Sequence, residues 1–186
     1  IIQDSKKLKG IILSRKRRIS ALKKKEESKS KVVAANITHV GILVTPEPKT
    51  SKEFIDKWIL TALLSGTKAF LINNKIDLNQ DEEYLSKLQI YKDLDIDLIN
   101  ISANDDSNLG DVITYLENKC VVFVGNSGAG KSTLTTSLTG KDIKTNVLSN
   151  NQGVHTTSIS TLYEMDNETR IIDSPGMRDL PITGWS

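Results

Sequence analysis

A short glycine-rich segment, residues 125–133, has the composition needed to hold the phosphate groups of a nucleotide. Its sequence GNSGAGKST fits the pattern G-x-x-x-x-G-K-[ST] and lies between the apolar run CVVFV and a helix-like stretch. Glycines let successive backbone N–H groups converge on phosphate oxygens, and the following helix adds the positive end of its dipole. Lys131 would bridge the β- and γ-phosphates, and the Ser132 hydroxyl would bind Mg²⁺. The predicted phosphate-binding residues are Gly125, Asn126, Ser127, Gly128, Ala129, Gly130, Lys131, Ser132 and Thr133.

A second segment, Asn74-Lys75-Ile76-Asp77, could recognise a guanine base. It follows the apolar run AFLIN, so it lies at the carboxyl end of a predicted strand, where α/β proteins bind ligands. Guanine presents N1–H and an exocyclic amine side by side, and the Asp77 carboxylate can accept from both. Adenine lacks this donor pair and would leave the carboxylate unpaired, at a cost of roughly 1–3 kcal/mol. We expect Asn74 to bind the other edge of the base and the Lys75 stem to lie along its plane.

Two more strand ends complete the predicted site. Ser102-Ala103 follows the strand-like run IDLINIS, where a backbone amide can meet the guanine carbonyl oxygen. Asp173 follows the last apolar run, and its carboxylate can hold a magnesium-bound water. Gly176 ends the same D-x-x-G segment, and its amide can meet the γ-phosphate.

The loop NNQGVHTTS, which precedes the last two strand-like runs, is expected to contribute to catalysis. Either Thr156 or Thr157 should reach Mg²⁺ in the GTP-bound state. Many GTPases place a water-orienting glutamine directly after D-x-x-G, but Met177 occupies that position here. Unassisted hydrolysis should therefore be slow, on the order of 10⁻⁴ s⁻¹. His155 is the internal candidate for positioning the attacking water, and a solvated loop histidine without a catalytic role is the alternative.

From residue 36 onward, strand-like and helical patterns alternate. The predicted strands are 38–45, 67–74, 96–102 and 120–125, and the predicted helices are 51–65, 81–94 and 109–118. Residues 156–165 and 169–174 are two strand-like runs joined by a turn, which predicts an antiparallel hairpin at a sheet edge. Strands separated by helices imply βαβ units. The fold is thus predicted to be α/β, with a doubly wound, mainly parallel sheet and one antiparallel edge hairpin.

The apolar faces of the predicted helices indicate which residues pack on this sheet. These residues are Phe54, Ile55, Trp58, Ile59, Ala62 and Leu63 in the first helix, and Tyr84, Leu85, Leu88 and Tyr91 in the second. Thr50 and Glu53 have the spacing of a capping box, which predicts the start of the first helix. His39, in a predicted strand, is expected to be packed or at the rim of the core.

Charge and composition restrict the class of protein. Residues 1–35 carry 12 Lys or Arg against 3 Asp or Glu, whereas residues 36–186 carry 13 against 20, so a basic arm adjoins an acidic body. This favours contact with RNA phosphates, with a solvated lysine-rich linker as the alternative. Cys120 is the single cysteine, which excludes a disulfide framework and a cysteine-rich zinc site. No apolar run approaches the roughly 18 residues of a membrane span. We expect a cytoplasmic monomer without a membrane partner.

The motifs occur in a rotated order. In an ordinary GTPase the P-loop comes first, followed by the magnesium-binding threonine loop, D-x-x-G, N-K-x-D and S-A. Here N-K-x-D and S-A precede the P-loop, but the cyclic order is unchanged. A doubly wound sheet tolerates such a change because its chain ends lie at the surface. The sequence therefore predicts a circularly permuted P-loop GTPase fold that uses GTP or GDP and Mg²⁺.

In these motifs the chain resembles the RsgA (YjeQ) family of circularly permuted GTPases, which act on the small ribosomal subunit. The resemblance implies GTP hydrolysis in late maturation of the 30S subunit, stimulation by the ribosome, and the subunit and its rRNA as partners. It also supports a catalytic role for His155. Its domain plan implies that 1–35 is an OB-fold remnant plus linker, that 36–186 is the GTPase domain, and that the C-terminal zinc domain is absent from this chain. The segments that carry the resemblance are VVAANITHVGILV (32–44), LINNKIDL (71–78), ISA (101–103), FVGNSGAGKST (123–133), GVHTTS (153–158) and IIDSPGMRDL (171–180).

Two other functions remain open at this point. The first is a nucleotide-dependent RNA-binding or scaffold protein with little intrinsic GTPase activity, which the presence of Met177 allows. The second is a P-loop ATPase or kinase, which Asp77 disfavours. Competition between GDP and ADP for the site would separate the second from a GTPase, and turnover with small subunits would separate the first.

Overall fold

The structure is a computed structural model, and it describes residues 2–4, 9–11, 17–26, 29–104, 107–140 and 161–173. Ten strands and four helices lie in these ranges. In chain order they are β1 (Ile2–Asp4), β2 (Lys9–Ile11), β3 (Ala21–Glu26), β4 (Lys29–Ala35), β5 (His39–Val44), α1 (Lys52–Leu64), β6 (Lys68–Asn74), α2 (Glu82–Asp93), β7 (Leu98–Ile101), α3 (Leu109–Leu116), β8 (Cys120–Val124), α4 (Lys131–Thr139), β9 (Thr161–Glu164) and β10 (Arg170–Asp173).

Six of the strands form the main sheet, in the order β7-β6-β5-β8-β10-β9. Each neighbouring pair from β7 to β10 is parallel, and β9 pairs antiparallel with β10 at the edge. The predicted mainly parallel sheet with one antiparallel edge hairpin is confirmed. Because parallel strands end at the same edge, the segments after β5, β6, β7, β8 and β10 all lie there. That edge holds every predicted motif that falls within the described residues.

Helices cover both faces of the sheet, as a doubly wound fold requires. Along β8, Val122 and Val124 pack with residues of α1 and α2, whereas Val121 and Phe123 pack with residues of α3 and α4. This alternation follows from the two-residue period of a strand, which directs neighbouring side chains to opposite faces. Trp58 is 1% exposed and belongs to the first of these clusters, so the prediction that it is a core residue is confirmed.

The helices present narrower apolar stripes to the sheet than the sequence predicted. Leu63 and Leu85, both expected to pack on the sheet, are 64% and 48% exposed. An α-helix turns by about 100° per residue, so Leu63 is directed well away from Ala62, which is fully buried. On α2 the buried stripe includes a lysine that the sequence analysis missed. Lys87 is 7% exposed, and its ammonium donates to the Thr50 carbonyl at 2.6 Å.

The start of α1 also differs from the predicted capping box. Ser51 is the N-cap, and its hydroxyl accepts from the Phe54 N–H at 3.3 Å. The hydroxyl of Thr50 is used elsewhere, because it accepts from the Thr45 N–H at 3.1 Å. Thr50 is fully buried, and its side chain joins the two ends of the segment between β5 and α1 instead of capping the helix.

The basic N-terminal part contains two small antiparallel sheets, β1–β2 and β3–β4. The β3–β4 hairpin is attached to the main core, because Leu22 and Ala34 are buried in the same cluster as Ile37 and Val40. The Ser20 hydroxyl adds a hydrogen bond to the Ile37 carbonyl at 2.6 Å. The domain boundary at residue 35 stays a prediction. Among the described residues, no helix combines the length and apolar character needed to cross a bilayer.

Candidate nucleotide-binding site

The P-loop lies between β8 and α4, as the sequence predicted. Gly128 and Gly130 have φ angles of +80° and +89°, in the left-handed region that disfavours residues with a side chain. At Gly125, a β-carbon would lie 3.0 Å from the Leu43 carbonyl oxygen of β5. These three positions therefore need glycine for backbone conformation or for close packing. The resulting turn brings the chain from β8 directly into the N-terminus of α4, which begins at Lys131.

An ammonium group and two hydroxyl groups lie at the start of α4. The Lys131 ammonium donates to the carbonyls of Gly125 and Asn126, the second at 2.9 Å, so it lies over the P-loop. Ser132 and Thr133, in the first turn of α4, are exposed. The loop thus combines a positive charge, hydroxyl groups and a helix N-terminus.

Asn74 joins three of the predicted motifs. Its amide nitrogen donates to the carbonyl of Ala129 in the P-loop at 2.9 Å, and its amide oxygen accepts from the Ala103 N–H at 3.0 Å. Asn74 is 2% exposed, so both bonds are shielded from water. The expected contact between Asn74 and the base edge stays a prediction, and the structure gives this side chain a second role as the link between loops. Motif spacing alone does not reveal that role.

The segment after Asn74 turns sharply at the sheet edge. Lys75 has a φ of +66°, and the Ile76 N–H donates to the Ile101 carbonyl at 3.2 Å, next to Ser102-Ala103. The Asp77 side chain is exposed at this edge. Asp77 and Lys131 therefore lie on the same edge of the sheet, connected through the bonds of Asn74.

Ser102 carries a polar atom that fits a ligand-binding role. The side chain is 1% exposed, and its hydroxyl has no hydrogen-bond partner among the described residues. Leaving a buried hydroxyl unpaired costs about 1–3 kcal/mol, so such groups call for an explanation. Ser102 lies beside Ala103, which is bonded to Asn74. A polar group of a ligand bound at this edge could therefore serve as the hydrogen-bond partner of the Ser102 hydroxyl.

Asp173 ends β10 at the same edge, next to the P-loop strand. Burial raises the pKa of its carboxyl group, and the nearby positive charge of Lys131 partly offsets this rise. With the Ser132 hydroxyl it offers oxygen ligands, which Mg²⁺ prefers. The described residues contain no cluster of three or more His, Cys, Asp or Glu side chains able to hold a metal. The donor set therefore fits a cation held jointly with phosphate oxygens better than an all-protein metal site.

The segment 45–51, between β5 and α1, is a part of this edge that the sequence analysis missed. The Lys75 ammonium donates to the Glu47 carbonyl at 2.8 Å. Pro48 lies against the P-loop, with its Cδ 3.6 Å from a β-carbon built at Gly128. The order of the strands could have revealed this segment. It follows β5, which pairs with both β6 and β8, so it emerges between the two loops that carry the predicted motifs.

Four of the predicted site residues lie outside the described residues. They are His155, Thr156, Thr157 and Gly176, and Met177 lies outside them as well. The expectations for catalysis and for the γ-phosphate contacts therefore stay predictions.

Comparison with known proteins gives one consistent family. The sequence profile described as RsgA GTPase matches residues 13–183. The small ribosomal subunit biogenesis GTPase RsgA of Hahella chejuensis is 35% identical over 178 residues, which is 91% of this chain and 51% of the relative. The protein of the same name from Nitrosospira multiformis is 37% identical over 169 residues, covering 87% and 52%. The chain thus spans about half the length of the curated relatives it matches.

A solved structure agrees with the sequence comparison. The crystal structure of YjeQ from Thermotoga maritima superposes with a TM-score of 0.69 at 25% identity, covering 97% of this chain and 60% of that one. The crystal structure of YloQ, described as a circularly permuted GTPase, has the same fold, with a TM-score of 0.59 at 17% identity, covering 88% of this chain and 57% of that one. The predicted circularly permuted architecture is confirmed.

Proposed function

The chain belongs to the RsgA GTPase family, and from this premise we propose that it binds guanine nucleotides and hydrolyses GTP to GDP and phosphate. The observation that carries the proposal is the pair of hydrogen bonds made by Asn74, to Ala129 and to Ala103. They link the segment 74–77, which we propose as the base-reading segment, to the proposed phosphate-binding loop 125–133. Asp77 and Lys131 can then act on opposite ends of one nucleotide.

Each end of the nucleotide has its own residues in this proposal. Asp77 accepts from the N1–H and the exocyclic amine of guanine. The base carbonyl would compete with the Asn74 amide oxygen for the Ala103 N–H, which donates to that oxygen at 3.0 Å. Lys75, whose ammonium is held by the Glu47 carbonyl at 2.8 Å, lies along the base. The backbone amides of 125–133 bind the phosphates, as predicted from the sequence.

The proposed cation site uses Ser132, Asp173 and one of Thr156 and Thr157. Mg²⁺, when bound, neutralises charge on the β- and γ-phosphates. The exposed Ser132 hydroxyl would be a direct ligand, and the Asp173 carboxylate would hold a water of the ion. Burial raises the pKa of the Asp173 carboxyl group, and the positive charge of Lys131 offsets part of that rise.

For hydrolysis we propose that His155 positions the attacking water, because Met177 offers no hydrogen bond to it. The rate without a partner should be low, on the order of 10⁻⁴ s⁻¹, as in small GTPases that lack an activator. Stimulation by the small ribosomal subunit is therefore part of the proposal. Equal subunit-stimulated turnover for His155→Ala and the unmodified chain would remove His155 from the mechanism.

The proposed setting is late maturation of the small ribosomal subunit, in the cytoplasm, with the chain acting as a monomer. Support comes from the names of the relatives, which are small ribosomal subunit biogenesis GTPases. The basic segment 1–35 would contact rRNA phosphates, and such binding should weaken steeply as salt concentration rises.

One experiment tests the function directly. A fluorescent GDP analogue is displaced by GDP or ADP, and GTP turnover is then measured with and without purified small subunits. The proposal predicts displacement by GDP at least about 100-fold better than by ADP, and faster turnover with subunits. Equal displacement by the two would indicate a general P-loop nucleotide site. Guanine-specific binding without turnover would leave a nucleotide-dependent RNA-binding protein.

A further inference from the structure

A polar network around the buried side chain of Asn73 lies beneath the segment 74–77, on the face of the sheet opposite Asn74. Asn73 is the residue before Asn74 in β6, so the two side chains are directed to opposite faces. Asn73 is 1% exposed. Its amide nitrogen donates to Gln80 Oε1 at 3.1 Å and to Asn100 Oδ1 at 2.9 Å, and its oxygen accepts from the Tyr84 hydroxyl at 2.7 Å. Both amide hydrogens and the carbonyl oxygen of Asn73 are thus used.

The partners of Asn73 connect both ends of the base-reading segment. Asn73 precedes the segment 74–77 and Gln80 follows it, so their bond closes the loop across its base. The Gln80 amide also approaches the Ile76 carbonyl at 3.5 Å. On the other side, Asn100 belongs to the neighbouring strand β7 and lies two residues before Ser102, which follows that strand. The network therefore links the strand ends that carry Asp77 and Ser102.

The polar residues of this network are better explained by a need to fix the backbone of the segment 74–77 than by a gain in the stability of the fold. An apolar residue would fill a buried position of β6 without the desolvation of an amide, so the polar choice needs a reason. Asn73 and Tyr84 are both 1% exposed, so either would become an unpaired buried group if the network rearranged, and this favours one arrangement. Burial raises the pKa of the Tyr84 phenol, which keeps it protonated and able to donate. The Asn73 oxygen therefore has a constant donor.

We propose that Asn73 and Gln80 are positioning residues that set how strictly the site distinguishes guanine from bases without its exocyclic amine. This inference rests on the proposed function. Asp77 is exposed, so its location depends on the backbone of the segment that carries it. Fixing that backbone against β7 holds the carboxylate where it can accept from the amine. A looser segment still reaches N1–H but loses the second hydrogen bond.

The test compares GDP with inosine diphosphate, which keeps N1–H and the base carbonyl but lacks the exocyclic amine. Affinities of both are measured by displacement of a fluorescent GDP analogue from the full chain. The variant is Asn73→Leu. The control is Thr67→Val, which removes a buried hydrogen bond of 3.0 Å to the Ala62 carbonyl at the opposite end of β6. Thermal unfolding of each variant is recorded alongside.

We expect the ratio of the GDP affinity to the inosine diphosphate affinity to fall at least threefold in Asn73→Leu and to stay unchanged in Thr67→Val. A lower unfolding temperature in both with equal ratios would overturn the inference, because it would show a purely structural role. Gln80→Met, at a partly exposed position, applies the same test if Asn73→Leu does not fold. Failure of the unmodified chain to prefer GDP over ADP would instead refute the proposed function, and this inference with it.

Discussion

The side-chain amide nitrogen of Asn74 lies 2.3 Å from the place that a β-carbon at Gly130 would occupy. The two residues come from segments that are far apart in the chain, and Asn74 occupies the space that a side chain at position 130 would need. The same nitrogen donates to the Ala129 carbonyl, so the P-loop and the segment 74–77 form one packed unit. A change in either segment should therefore be felt by the other.

Gly130→Ala is expected to weaken GDP binding by at least tenfold. The new methyl group would displace the Asn74 amide and break its bond to Ala129, and the φ of +89° would add strain. Gly140→Ala is the matched control, because Gly140 has a φ of +61° but nothing lies within 4 Å of its β-carbon position. Both variants should lose about 1–2 kcal/mol of unfolding free energy through the left-handed backbone. Gly130→Ala should lose about 1–3 kcal/mol more through the broken Asn74 bond, and only this variant should lose affinity. Titration with fluorescent GDP and denaturant unfolding would measure the two effects, and equal affinity losses would contradict the packing argument.

The positions of the motifs were predictable because they depend on rules that act along the chain. Each motif follows an apolar run, and a mainly parallel sheet directs all such ends to one edge. Asn74, Ser102, Gly125 and Asp173 therefore had to meet once the runs were recognised as strands. The edge hairpin followed from its turn-forming residues.

The side-chain partners were not predictable because they depend on contacts between elements. Whether Asn73 or Asn74 faces the P-loop depends on the register of β6 in the sheet, which the sequence does not fix by itself. Leu63 was expected in the core because apolar spacing defines a broad stripe, whereas the packing of α1 uses a narrower one. The burial of Lys87 was missed because a lysine is ordinarily exposed unless its charge finds a partner.

Ser102→Ala should separate stability from binding. The hydroxyl is buried and has no hydrogen-bond partner within the described ranges, so its removal should leave the unfolding free energy unchanged or raise it by up to about 1 kcal/mol. Affinity for GDP should fall by about three- to tenfold, because the variant cannot form the hydrogen bond that we expect the Ser102 hydroxyl to make in the nucleotide complex. Denaturant unfolding without nucleotide and GDP titration measure the two quantities.

Thr169→Val provides the opposite pattern as a control for Ser102→Ala. Its buried hydroxyl donates to the Leu116 carbonyl at 2.7 Å, far from the candidate site. Losing this bond should lower the unfolding free energy by about 1 kcal/mol and leave GDP affinity unchanged. A clear stability loss in Ser102→Ala would show that its hydroxyl has a structural partner.

Asp77→Asn should move base preference from guanine toward xanthine. The new amide would direct a donor at the guanine amine, whereas xanthine offers a carbonyl oxygen at that position. We expect GDP affinity to fall by about 10- to 100-fold and the affinity for xanthosine diphosphate to rise. Asp95→Asn makes the same charge change at an exposed turn before β7, at the other edge of the sheet, and should alter neither affinity. Unchanged preference in Asp77→Asn would remove Asp77 from base recognition.

His39 lies at the start of β5, at the edge of the sheet opposite the candidate site. It is 9% exposed, and its Nδ1 lies 2.8 Å from the Thr38 hydroxyl oxygen. Burial lowers the pKa of His39 below 6.5, and the positive charges of Lys119 and Lys68 lower it further, while Asp97 acts in the opposite direction. The folded protein therefore binds this proton less readily than the unfolded chain does.

The lowered pKa of His39 predicts that stability decreases as pH falls below about 6.5. Above that pH the histidine is neutral in both states and contributes no pH dependence. As pH falls, the unfolded chain takes up the proton first, so the folded state loses stability until the pH passes the folded pKa. His39→Gln cannot take up the proton and should show a flatter decrease between pH 7 and pH 5 in denaturant unfolding. The difference between the two curves isolates His39, because carboxylates and His155 contribute equally to both. Parallel curves would show that His39 titrates alike in the folded and unfolded states.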